Sequence, residues 1–446
     1  MPRTYEDTLD WIHRAPRFSP NLTLERFARL LDELGRPQRC QRYIHVAGTN
    51  GKGSVTAMVA SMLHAAGLGT GMYTSPSLED FRERIAVGGA VIGKDDLCDL
   101  AARLESVVED LAASGSERPI EFELITAIAF MYFRQAKCDF VSLEVGLGGQ
   151  YDATNVIVPE VSVITTIGLD HTEILGDTLA KIAGEKAGII KPGVPVVTGV
   201  REKEALHVIA SRAEQASARL YAAGQDFAWE EVSSSLDGQI INVSGPGFEY
   251  RDLFVPLLGR HQQPNAAVAL TTMHIAKARG ALDFSEQAIR QGMSLVRWPG
   301  RLEVMRRDPL VILDGAHNPE GAVALTGMIH GVQRDRLICV MGVLGDKLYP
   351  SMVGSIAPEC DLLIATTPAG PRALKAEAVA AEAAKHTRVE TEPDPVRAVD
   401  RALSMAGPRD IVLCCGSLYL VGPVRTYLRE KYSLGDRAPQ YGQRTR

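Results

Sequence analysis

The sequence predicts an α/β fold built on parallel sheets, and three observations support this class. Short β-rich runs alternate with helical patterns over most of the 446 residues. Most of these runs are continuously apolar, as strands are in a sheet that is covered on both faces. The chain is also longer than one core usually tolerates, which predicts two or more domains. The predicted strands are 42–47, 139–145, 161–167, 194–198, 310–313, 337–341, 361–366 and 410–414.

A helix is predicted directly after the first strand. Over residues 54–66 the apolar side chains recur at helical spacing, which puts them on one face of an amphipathic helix. These residues are Val55, Met58, Val59, Met62, Leu63 and Ala66.

The strand–helix alternation stops between about residues 222 and 259. Serine, glycine and proline clusters there separate two or three segments of alternating polarity, which indicates a small antiparallel appendage on the first domain. The alternation restarts at residue 310, with repeats about 25 residues apart. We therefore expect a first domain over 1–297, a second domain over 298–432 and a polar tail over 433–446.

The composition excludes several classes of function. The formal net charge is −6, from 48 Lys and Arg against 54 Asp and Glu, and the sequence has no basic block, so we expect no nucleic-acid partner. The sequence has no apolar run of about 18 residues, and its first residues are of mixed polarity, so we expect neither a transmembrane helix nor a secretory signal. A cytoplasmic protein without a membrane partner is expected. Its seven cysteines form no C-x-x-C pair and are expected to be buried free thiols.

The strongest local motif is the segment GTNGKGS, residues 48–54, between the first strand and its helix. Backbone N–H groups at such a turn, together with the positive end of the helix dipole, bind phosphate. Lys52 adds a point charge and Ser54 a hydroxyl for Mg²⁺. The segment departs from the common G-x-x-x-x-G-K-[ST] pattern, because Val46 replaces the first glycine and Gly53 precedes the serine. The alternative is a glycine-rich connection that holds no ligand.

Three polar residues in the following segments are candidates for metal binding and charge neutralisation. Glu144 lies at the carboxyl end of a predicted strand, where open α/β sheets bind ligands, and its carboxylate suits a hard cation. His171 follows the next strand, and Lys186 lies in a small, apolar stretch where burial favours the neutral amine. The alternatives are a salt-bridged strand end, an ordinary surface or core histidine, and a helix-end lysine that extends to water.

In the C-terminal half, the strand 310–313 is followed by an acid, an imidazole and an amide. We expect Asp314 and His317 to face the junction between the domains. Asn318 suits the N-cap of a helix that starts at Pro319 as well as it suits a functional role.

Eight ordered stretches resemble the folylpolyglutamate synthase/dihydrofolate synthase family, which is similar to the Mur ligases and makes amides at the expense of ATP. They are HVAGTNGKGS (45–54), TSPSLEDFRERI (74–85), EVGLGGQYDATN (144–155), IGLDHTEILGDTLAKIAGEKAGIIKPG (167–193), HQQPNAAVAL (261–270), WPGRLE (298–303), DGAHNP (314–319) and GSLYLVG (416–422). They span most of the chain, and their order is far more specific than any one of them.

The resemblance implies a P-loop ATP-binding domain, a Rossmann-like C-terminal glutamate-ligase domain and an active site between them. ATP would phosphorylate a carboxylate of a folate-type substrate, and L-glutamate would attack the acyl phosphate. The implied ATP-binding residues are Thr49, Asn50, Gly51, Lys52, Gly53, Ser54, Asn265, Arg301 and Asp314. The implied Mg²⁺ ligands, at two sites, are Ser54, Ser75, Glu144 and His171. The implied catalytic residues are Lys52, Lys186, Asp314 and His317, and Lys186 matches a lysine that is carbamylated in the family.

The same resemblance implies a pterin pocket, K⁺ dependence and a monomer. The implied pocket residues are Leu22, Thr23, Leu24, Phe122, Asp152, Ala153 and Thr154. Three departures from the family pattern leave the acceptor open between dihydropteroate, a folate and both. Ser77 replaces a histidine, Gln150 replaces an arginine, and the stretch 345–348 lacks the second aspartate of Asp-Lys-Asp.

Two other functions stay open on the sequence alone. One is a related Mur-type ligase with a different carboxylate substrate, which is disfavoured by Gly53-Ser54 after the lysine and by the intact DGAHNP stretch. The other is a nucleotide-binding regulatory protein without ligation. It would lack the metal ligands, whereas Glu144, His171 and Lys186 are all present.

Overall fold

The computed structural model describes residues 4–17 and 23–435, and it confirms the predicted α/β class. Leu22, one of the predicted pocket residues, and the tail from residue 436 lie outside the described residues. The seven cysteines are free thiols, as predicted, but the prediction that they are buried is wrong for Cys40, which is exposed, and Cys98 is only partly buried. Across 4–17 and 23–435, no helix combines the length and apolar character that crossing a membrane requires.

The strands and helices alternate over most of the described chain. The strands are β1 (Arg42–Ala47), β2 (Thr70–Tyr73), β3 (Ile85–Val87), β4 (Ala90–Val91), β5 (Phe140–Glu144), β6 (Val161–Ile164), β7 (Val196–Thr198), β8 (Leu220–Ala222), β9 (Ala228–Ser235), β10 (Gly238–Gly245), β11 (Phe248–Val255), β12 (Glu303–Arg307), β13 (Leu310–Asp314), β14 (Leu337–Met341), β15 (Leu362–Ala365), β16 (Val389–Thr391) and β17 (Ile411–Cys415). The α-helices are α1 (Tyr5–Arg14), α2 (Glu25–Glu33), α3 (Lys52–Ala65), α4 (Lys94–Ala113), α5 (Glu121–Gln135), α6 (Thr172–Leu175), α7 (Leu179–Ala187), α8 (Lys203–Gln215), α9 (Gln262–Ala278), α10 (Glu286–Leu295), α11 (Pro319–His330), α12 (Tyr349–Ile356), α13 (Ala376–Ala383), α14 (Pro395–Met405) and α15 (Leu418–Lys431).

Two of the three sheets are dominated by parallel strands. The first has the order β4-β3-β2-β5-β1-β6-β7-β8, and the strands from β2 to β8 in that order pair in parallel. The last has the order β12-β13-β17-β14-β15-β16, in which β12 pairs antiparallel with β13 and the other pairs are parallel. All eight predicted strands are present with slightly different ends, which confirms the interpretation of continuous apolar runs.

The predicted antiparallel appendage is also confirmed. Strands β9, β10 and β11 form a separate antiparallel sheet with the order β11-β10-β9. Its buried residues Ile241, Tyr250 and Leu253 belong to the same apolar core as α3 and α9, so the appendage packs on the first sheet's side of the molecule.

The prediction that the helix after β1 is amphipathic is wrong. Every residue of α3 from Ser54 to Leu63 is buried. The helix packs against the sheet on one side, while α9 and α10 cover its other faces. Gly292 in α10 allows the close approach, because a Cβ there would clash with Met62, and Ser61 Oγ donates a 2.6 Å hydrogen bond to Gly292 O. The spacing of apolar residues within α3 does not reveal that two helices later in the chain cover its remaining faces.

A buried ion network joins the two halves of the chain. Arg425 in α15 is 1% exposed and donates to Glu303 through Nε at 2.8 Å and through Nη2 at 3.0 Å. Its Nη1 donates to Glu79, which lies in the loop between β2 and β3. Gly422 makes room for this loop, because a Cβ there would overlap Leu78 O. The loop of the first sheet is therefore anchored on a helix of the last one.

Removal of this guanidinium should destabilise the protein strongly. Arg425→Leu leaves Glu303 without its buried cation, whereas Glu79 keeps Arg429 at 3.2 Å, and breaking a buried pair costs about 3–5 kcal/mol. Arg409→Leu is the control, because Arg409 is 80% exposed in its pair with Asp335 and exposed pairs contribute about 0–1 kcal/mol. Urea denaturation measures both free energies of unfolding. Equal losses in the two variants would contradict a special role for the buried network.

Candidate active site

A cavity of about 690 Å³ lies where the two halves of the chain meet. Its volume is that of a small-molecule site. Every residue predicted to bind ATP or Mg²⁺, or to act in catalysis, lines it: Thr49, Asn50, Gly51, Lys52, Gly53, Ser54, Ser75, Glu144, His171, Lys186, Asn265, Arg301, Asp314 and His317. Residues from distant parts of the sequence thus share one cavity, because the carboxyl ends of β1, β5 and β13 face it.

The glycine-rich segment forms a tight turn between β1 and α3. Gly51, the residue before the helix, has φ of 82°, a left-handed conformation that favours glycine. A Cβ at Gly51 would also clash with the side chain of Asn265, and one at Gly53 with the indole of Trp298. Lys52 Nζ donates to Thr49 O at 3.2 Å. Glycine at positions 51 and 53 therefore allows the backbone of the turn to lie close to the side chains of Asn265 and Trp298.

Two threonines that follow β6 hold this turn in place. Thr49 N donates to Thr166 O at 2.8 Å, and Asn50 N donates to Thr166 Oγ1 at 3.0 Å. Thr165 Oγ1 donates to Asn50 O at 2.6 Å. These contacts explain why β6 ends at Ile164, three residues earlier than predicted. The N–H groups of Thr49 and Asn50 are thereby used inside the protein, and those of residues 51–54 remain for a phosphate on a turn whose position is already fixed.

Lys186 lies under the same turn. Its side chain projects from α7, is 5% exposed, and donates to Gly48 O at 2.9 Å. Burial and, after it, the charge of Lys52 lower the pKa of Lys186 to about 7. The structure thus buries Lys186, as the sequence analysis expects of this lysine.

Glu144 is the buried carboxylate of the cavity. It is 4% exposed at the end of β5 and accepts a 3.1 Å hydrogen bond from Ser75 N. Burial raises the pKa of Glu144 to about 7, although Lys52 opposes the shift. The part of the chain that the structure describes has no cluster of three or more His, Cys, Asp or Glu that is arranged to hold a metal. Mg²⁺, however, often takes one or two carboxylates and completes its shell with water and phosphate. Glu144 with the hydroxyls of Ser54 and Ser75 fits that donor set.

Asp170 and Lys347 are cavity residues that the sequence analysis does not single out as site residues. Lys347 Nζ donates to Asp170 Oδ1 at 2.7 Å, and the two side chains are 7% and 11% exposed. Burial works in the opposite direction, but the charge of Lys347 holds the pKa of Asp170 well below its usual range. Lys347 Nζ also lies 3.5 Å from His171 Nε2. The imidazole atom that would bind a second Mg²⁺ therefore faces an ammonium group in this structure.

The segment after β13 supplies the opposite wall. Asp314 accepts from Leu302 N and from Ala316 N, both at 2.8 Å, which ties the strand end to the connection between the sheets. His317 Nδ1 lies 2.8 Å from Gly315 O. Burial and the charge of Arg301 lower the pKa of His317 to about 4, so its imidazole is neutral at pH 7.

Asn318 is the N-cap of α11, as the sequence suggests, and it also contacts the glycine-rich turn. Its Oδ1 accepts from Gly321 N at 2.8 Å and so caps α11. Its Nδ2 donates to Asn50 Oδ1 at 2.9 Å and thereby joins α11 to the glycine-rich turn. The helix that starts at Pro319 is confirmed.

The predicted pterin residues divide into two groups. Thr23, Phe122, Asp152 and Ala153 line the cavity, whereas Leu24 and Thr154 do not. Thr154 is fully buried.

The departures from the family pattern lie in different places. Neither Ser77 nor Gln150 lines the cavity, and Gln150 Nε2 donates to the hydroxyl of Tyr151 at 3.1 Å. Lys347, in the stretch with the missing aspartate, does line it.

Comparison with known proteins assigns the chain to a family. The Mur ligase middle domain matches residues 46–273, and the Mur ligase glutamate ligase domain matches residues 300–418. A dihydrofolate synthase/folylpolyglutamate synthase from Bacillus subtilis is 38% identical, over 96% of this chain and 100% of its own length.

Two solved structures are similar over nearly the whole chain. Mycobacterium tuberculosis folylpolyglutamate synthase complexed with ADP has a TM-score of 0.89 and 34% identity, covering 95% of this chain and 98% of that one. E. coli FolC in complex with DHPP and ADP has a TM-score of 0.87 and 31% identity, covering 96% and 98%. The predicted resemblance is thereby confirmed: the chain belongs to the dihydrofolate synthase/folylpolyglutamate synthase family of Mur ligases.

Proposed function

We propose that this protein is an ATP-dependent ligase that joins L-glutamate to a pterin-bearing carboxylic acid, which is dihydropteroate, a folate or both. The observation that carries the proposal is the shared cavity. It brings the glycine-rich turn, the buried carboxylate of Glu144 and the Asp314–His317 segment together. The structure of E. coli FolC, which was solved with DHPP and ADP, supports a site that takes an acceptor substrate together with a nucleotide.

The reaction needs an activated acid, because a carboxylate does not react with an amine at neutral pH. A carboxylate oxygen of the acceptor attacks the γ-phosphorus of ATP, and ADP leaves. The amine of glutamate then attacks the acyl carbon, inorganic phosphate leaves, and the amine loses a proton. Catalysis consists mainly of positioning and charge stabilisation.

The N-terminal half acts on the phosphates. The N–H groups of the turn and the ammonium of Lys52 neutralise charge on the transferred phosphoryl group. Glu144, Ser54 and Ser75 would hold Mg²⁺, which when bound neutralises phosphate charge. A second Mg²⁺ on His171 is part of the proposal, and it requires Lys347 to move away from the imidazole.

The C-terminal half acts on the nucleotide and on glutamate. Arg301 and Asp314 line the cavity on the proposed ATP side, where Asn265 of the first domain joins them. His317, which is neutral at pH 7, would accept a hydrogen bond from the incoming amine.

The wall for the pterin would be formed by four residues of the N-terminal half: Thr23, Phe122, Asp152 and Ala153.

We also propose that Lys186 is carbamylated. The neutral Nζ attacks the carbon of CO₂ and loses a proton, which replaces a buried cation by an anion. With its pKa lowered to about 7, a large fraction of the amine is neutral near pH 7.

Native mass spectrometry in bicarbonate buffer tests the carbamate. The wild-type mass should rise by about 44 Da, as expected for a covalent carbamate, and Lys186→Arg should abolish the increase. Lys181→Arg, in the same helix but 63% exposed, should not change it. An unmodified wild-type mass in saturating CO₂ would exclude the modification.

One assay tests the function. The protein is incubated with ATP, Mg²⁺ and L-glutamate, with dihydropteroate or a reduced folate in separate tubes, and phosphate release is measured. We expect release that depends on glutamate and on at least one pterin. If neither pterin stimulates turnover, the proposal is wrong. Stimulation by a different carboxylate instead would indicate another Mur-type ligase.

The remaining proposals concern the domain bounds, the oligomeric state, the cellular location and the dependence on K⁺. We propose domains over 1–297 and 298–432, since β12, the first strand of the last sheet, begins at Glu303. We further propose a cytoplasmic monomer with K⁺-dependent activity, by similarity to the family. Replacement of K⁺ by Na⁺ should lower phosphate release, and light scattering should give the mass of one chain.

A further inference from the structure

A fully buried histidine precedes the glycine-rich turn. His45 lies in β1 and is 0% exposed. Side chains alternate between the faces of a strand, so His45 shares its face with Tyr43 and Ala47, both of which are buried in apolar cores. An imidazole at this position gives up its hydration, which favours its neutral form, and burial lowers its pKa to about 3. Burial of this polar ring costs free energy, so its role is to be found in the hydrogen bonds that it forms.

The hydrogen bonds of His45 define which ring nitrogen carries the proton. Thr154 Oγ1 lies 2.8 Å from His45 Nε2 and donates to Asp152 Oδ1 at 2.5 Å. A hydroxyl has one proton, and a carboxylate only accepts, so the proton of Thr154 belongs to the bond with Asp152. His45 Nε2–H is then the donor to Thr154. Within the described residues Nδ1 has no partner, which suits a lone pair better than an N–H group.

The chain of hydrogen bonds ends at a loop that lines the cavity. Asp152 Oδ1 also accepts from Thr154 N at 3.0 Å, while Oδ2 accepts from Leu147 N at 2.9 Å. The carboxylate thus closes the loop 146–152 on itself. Gln150 N donates to Glu185 O at 3.0 Å and fixes the same loop on α7.

The nucleotide end of the cavity is held by a different set of hydrogen bonds, although both sets include one bond to α7, through Glu185 for the loop and Lys186 for the turn. The glycine-rich turn is fixed by Thr165 and Thr166, which follow β6, and by Lys186. None of these hydrogen bonds involves His45, Thr154 or Asp152. A change in the histidine's hydrogen bond should therefore alter the loop 146–152 and leave the turn in place.

We propose that His45 is a positioning residue for the acceptor substrate: through Thr154 it fixes Asp152 and the loop 146–152 as the wall that binds the pterin end. This inference rests on the proposed function, because it assigns the acceptor to that wall. It also gives Thr154 a role different from the one implied by the resemblance. Thr154 transmits the position of His45 to Asp152 and does not itself line the cavity.

The test compares two substitutions of similar size at position 154. Thr154→Val removes the hydroxyl and should raise KM for the acceptor about tenfold, the effect of losing roughly one hydrogen bond. KM for MgATP should change less than about twofold, because the turn is held separately. Thr154→Ser keeps the hydroxyl and should keep both KM values near those of wild type. A general loss of structure would not separate the two substrates in this way.

A second pair of variants tests the histidine itself. His45→Gln places an amide nitrogen near the position of Nε2, whereas His45→Leu removes the donor. We expect the acceptor KM to rise in His45→Leu and to recover in His45→Gln. The double variant His45→Leu/Thr154→Val should be no worse than either single one, because both break the same chain. Amide exchange at Leu147 should be faster in both apolar variants.

The outcomes separate this inference from the proposed function. If wild-type protein shows no pterin-stimulated turnover, both fail. If wild type turns over but Thr154→Val keeps the acceptor KM, or raises both KM values equally, only the inference fails. If His45→Leu does not fold, the comparison of Thr154→Val with Thr154→Ser decides alone.

Discussion

Lys52→Ala should lower kcat/KM for ATP by about 10³-fold or more while the protein stays folded. The lysine begins α3 inside the cavity, and its Nζ donates a hydrogen bond to Thr49 O within the same turn. Loss of one preorganised charge at a transferring phosphoryl group costs about 10²–10⁵-fold in turnover. The turn itself is fixed by Thr165 and Thr166 through bonds that do not involve Lys52.

Phosphate release under saturating pterin and glutamate measures the effect, and thermal unfolding measures the fold. Lys181→Ala is the matched control. Lys181 is also a helical lysine, but its side chain is 63% exposed and pairs with Asp177 outside the cavity lining. The control should keep wild-type turnover. A Lys52→Ala variant with activity within tenfold of wild type would show that the turn does not bind the triphosphate as proposed.

The sequence predicts most of this site because of one property of parallel sheets. Strands that run in the same direction end at the same edge, so polar residues after separate strands meet there. Glu144 at the end of β5 and Asp314 at the end of β13 are predicted from their position at a strand end, Lys52 is predicted from the glycine-rich motif after β1, and all three line the cavity. No knowledge of the domain arrangement is needed for the two residues of the first sheet.

Contacts between the two halves are not predictable in the same way. Asp170 directly precedes a predicted metal ligand, and its position after β6 was a usable indication. Its partner Lys347 is 177 positions away, on the other sheet. The pair exists because the domains meet at a particular angle, and no local pattern encodes that angle. The burial of α3 on all faces has the same origin, since it depends on α9 and α10.

For Thr154 and His45, the motif in which each residue lies does not predict what its side chain contacts. Thr154 was assigned to the pocket by its motif, yet its hydroxyl lies between His45 and Asp152 inside the protein. His45 is part of the same motif as the glycine-rich turn, but its side chain points away from the phosphate end. Motif membership identifies a neighbourhood, whereas the hydrogen-bond partners identify what each side chain does there.

Asp170→Asn should lower kcat/KM for glutamate by about two to three orders of magnitude. The amide keeps the size of the side chain but leaves Lys347, 7% exposed, without its counterion. An unpaired buried charge costs about 3–5 kcal/mol, which corresponds to about 10²–10³-fold or somewhat more in the population of the assembled site. His317 Nε2 and Asn318 Nδ2 lie 3.7 Å and 3.4 Å from Asp170 Oδ2, so the wall that is proposed to meet glutamate would loosen as well.

The double variant Asp170→Asn/Lys347→Met decides whether the charge pair is the cause. Removal of both ions leaves neither member of this pair without its counterion, so the combined loss in kcat/KM should be clearly smaller than the product of the two single losses. Asp177→Asn is the control, because Asp177 forms a comparable pair with Lys181 but is 77% exposed, and its activity should match wild type. Multiplicative losses in the double variant would mean that Asp170 and Lys347 act independently. The assembly of the site across the two halves would then have to be carried by other contacts, of which Asn318 with Asn50 is the nearest candidate.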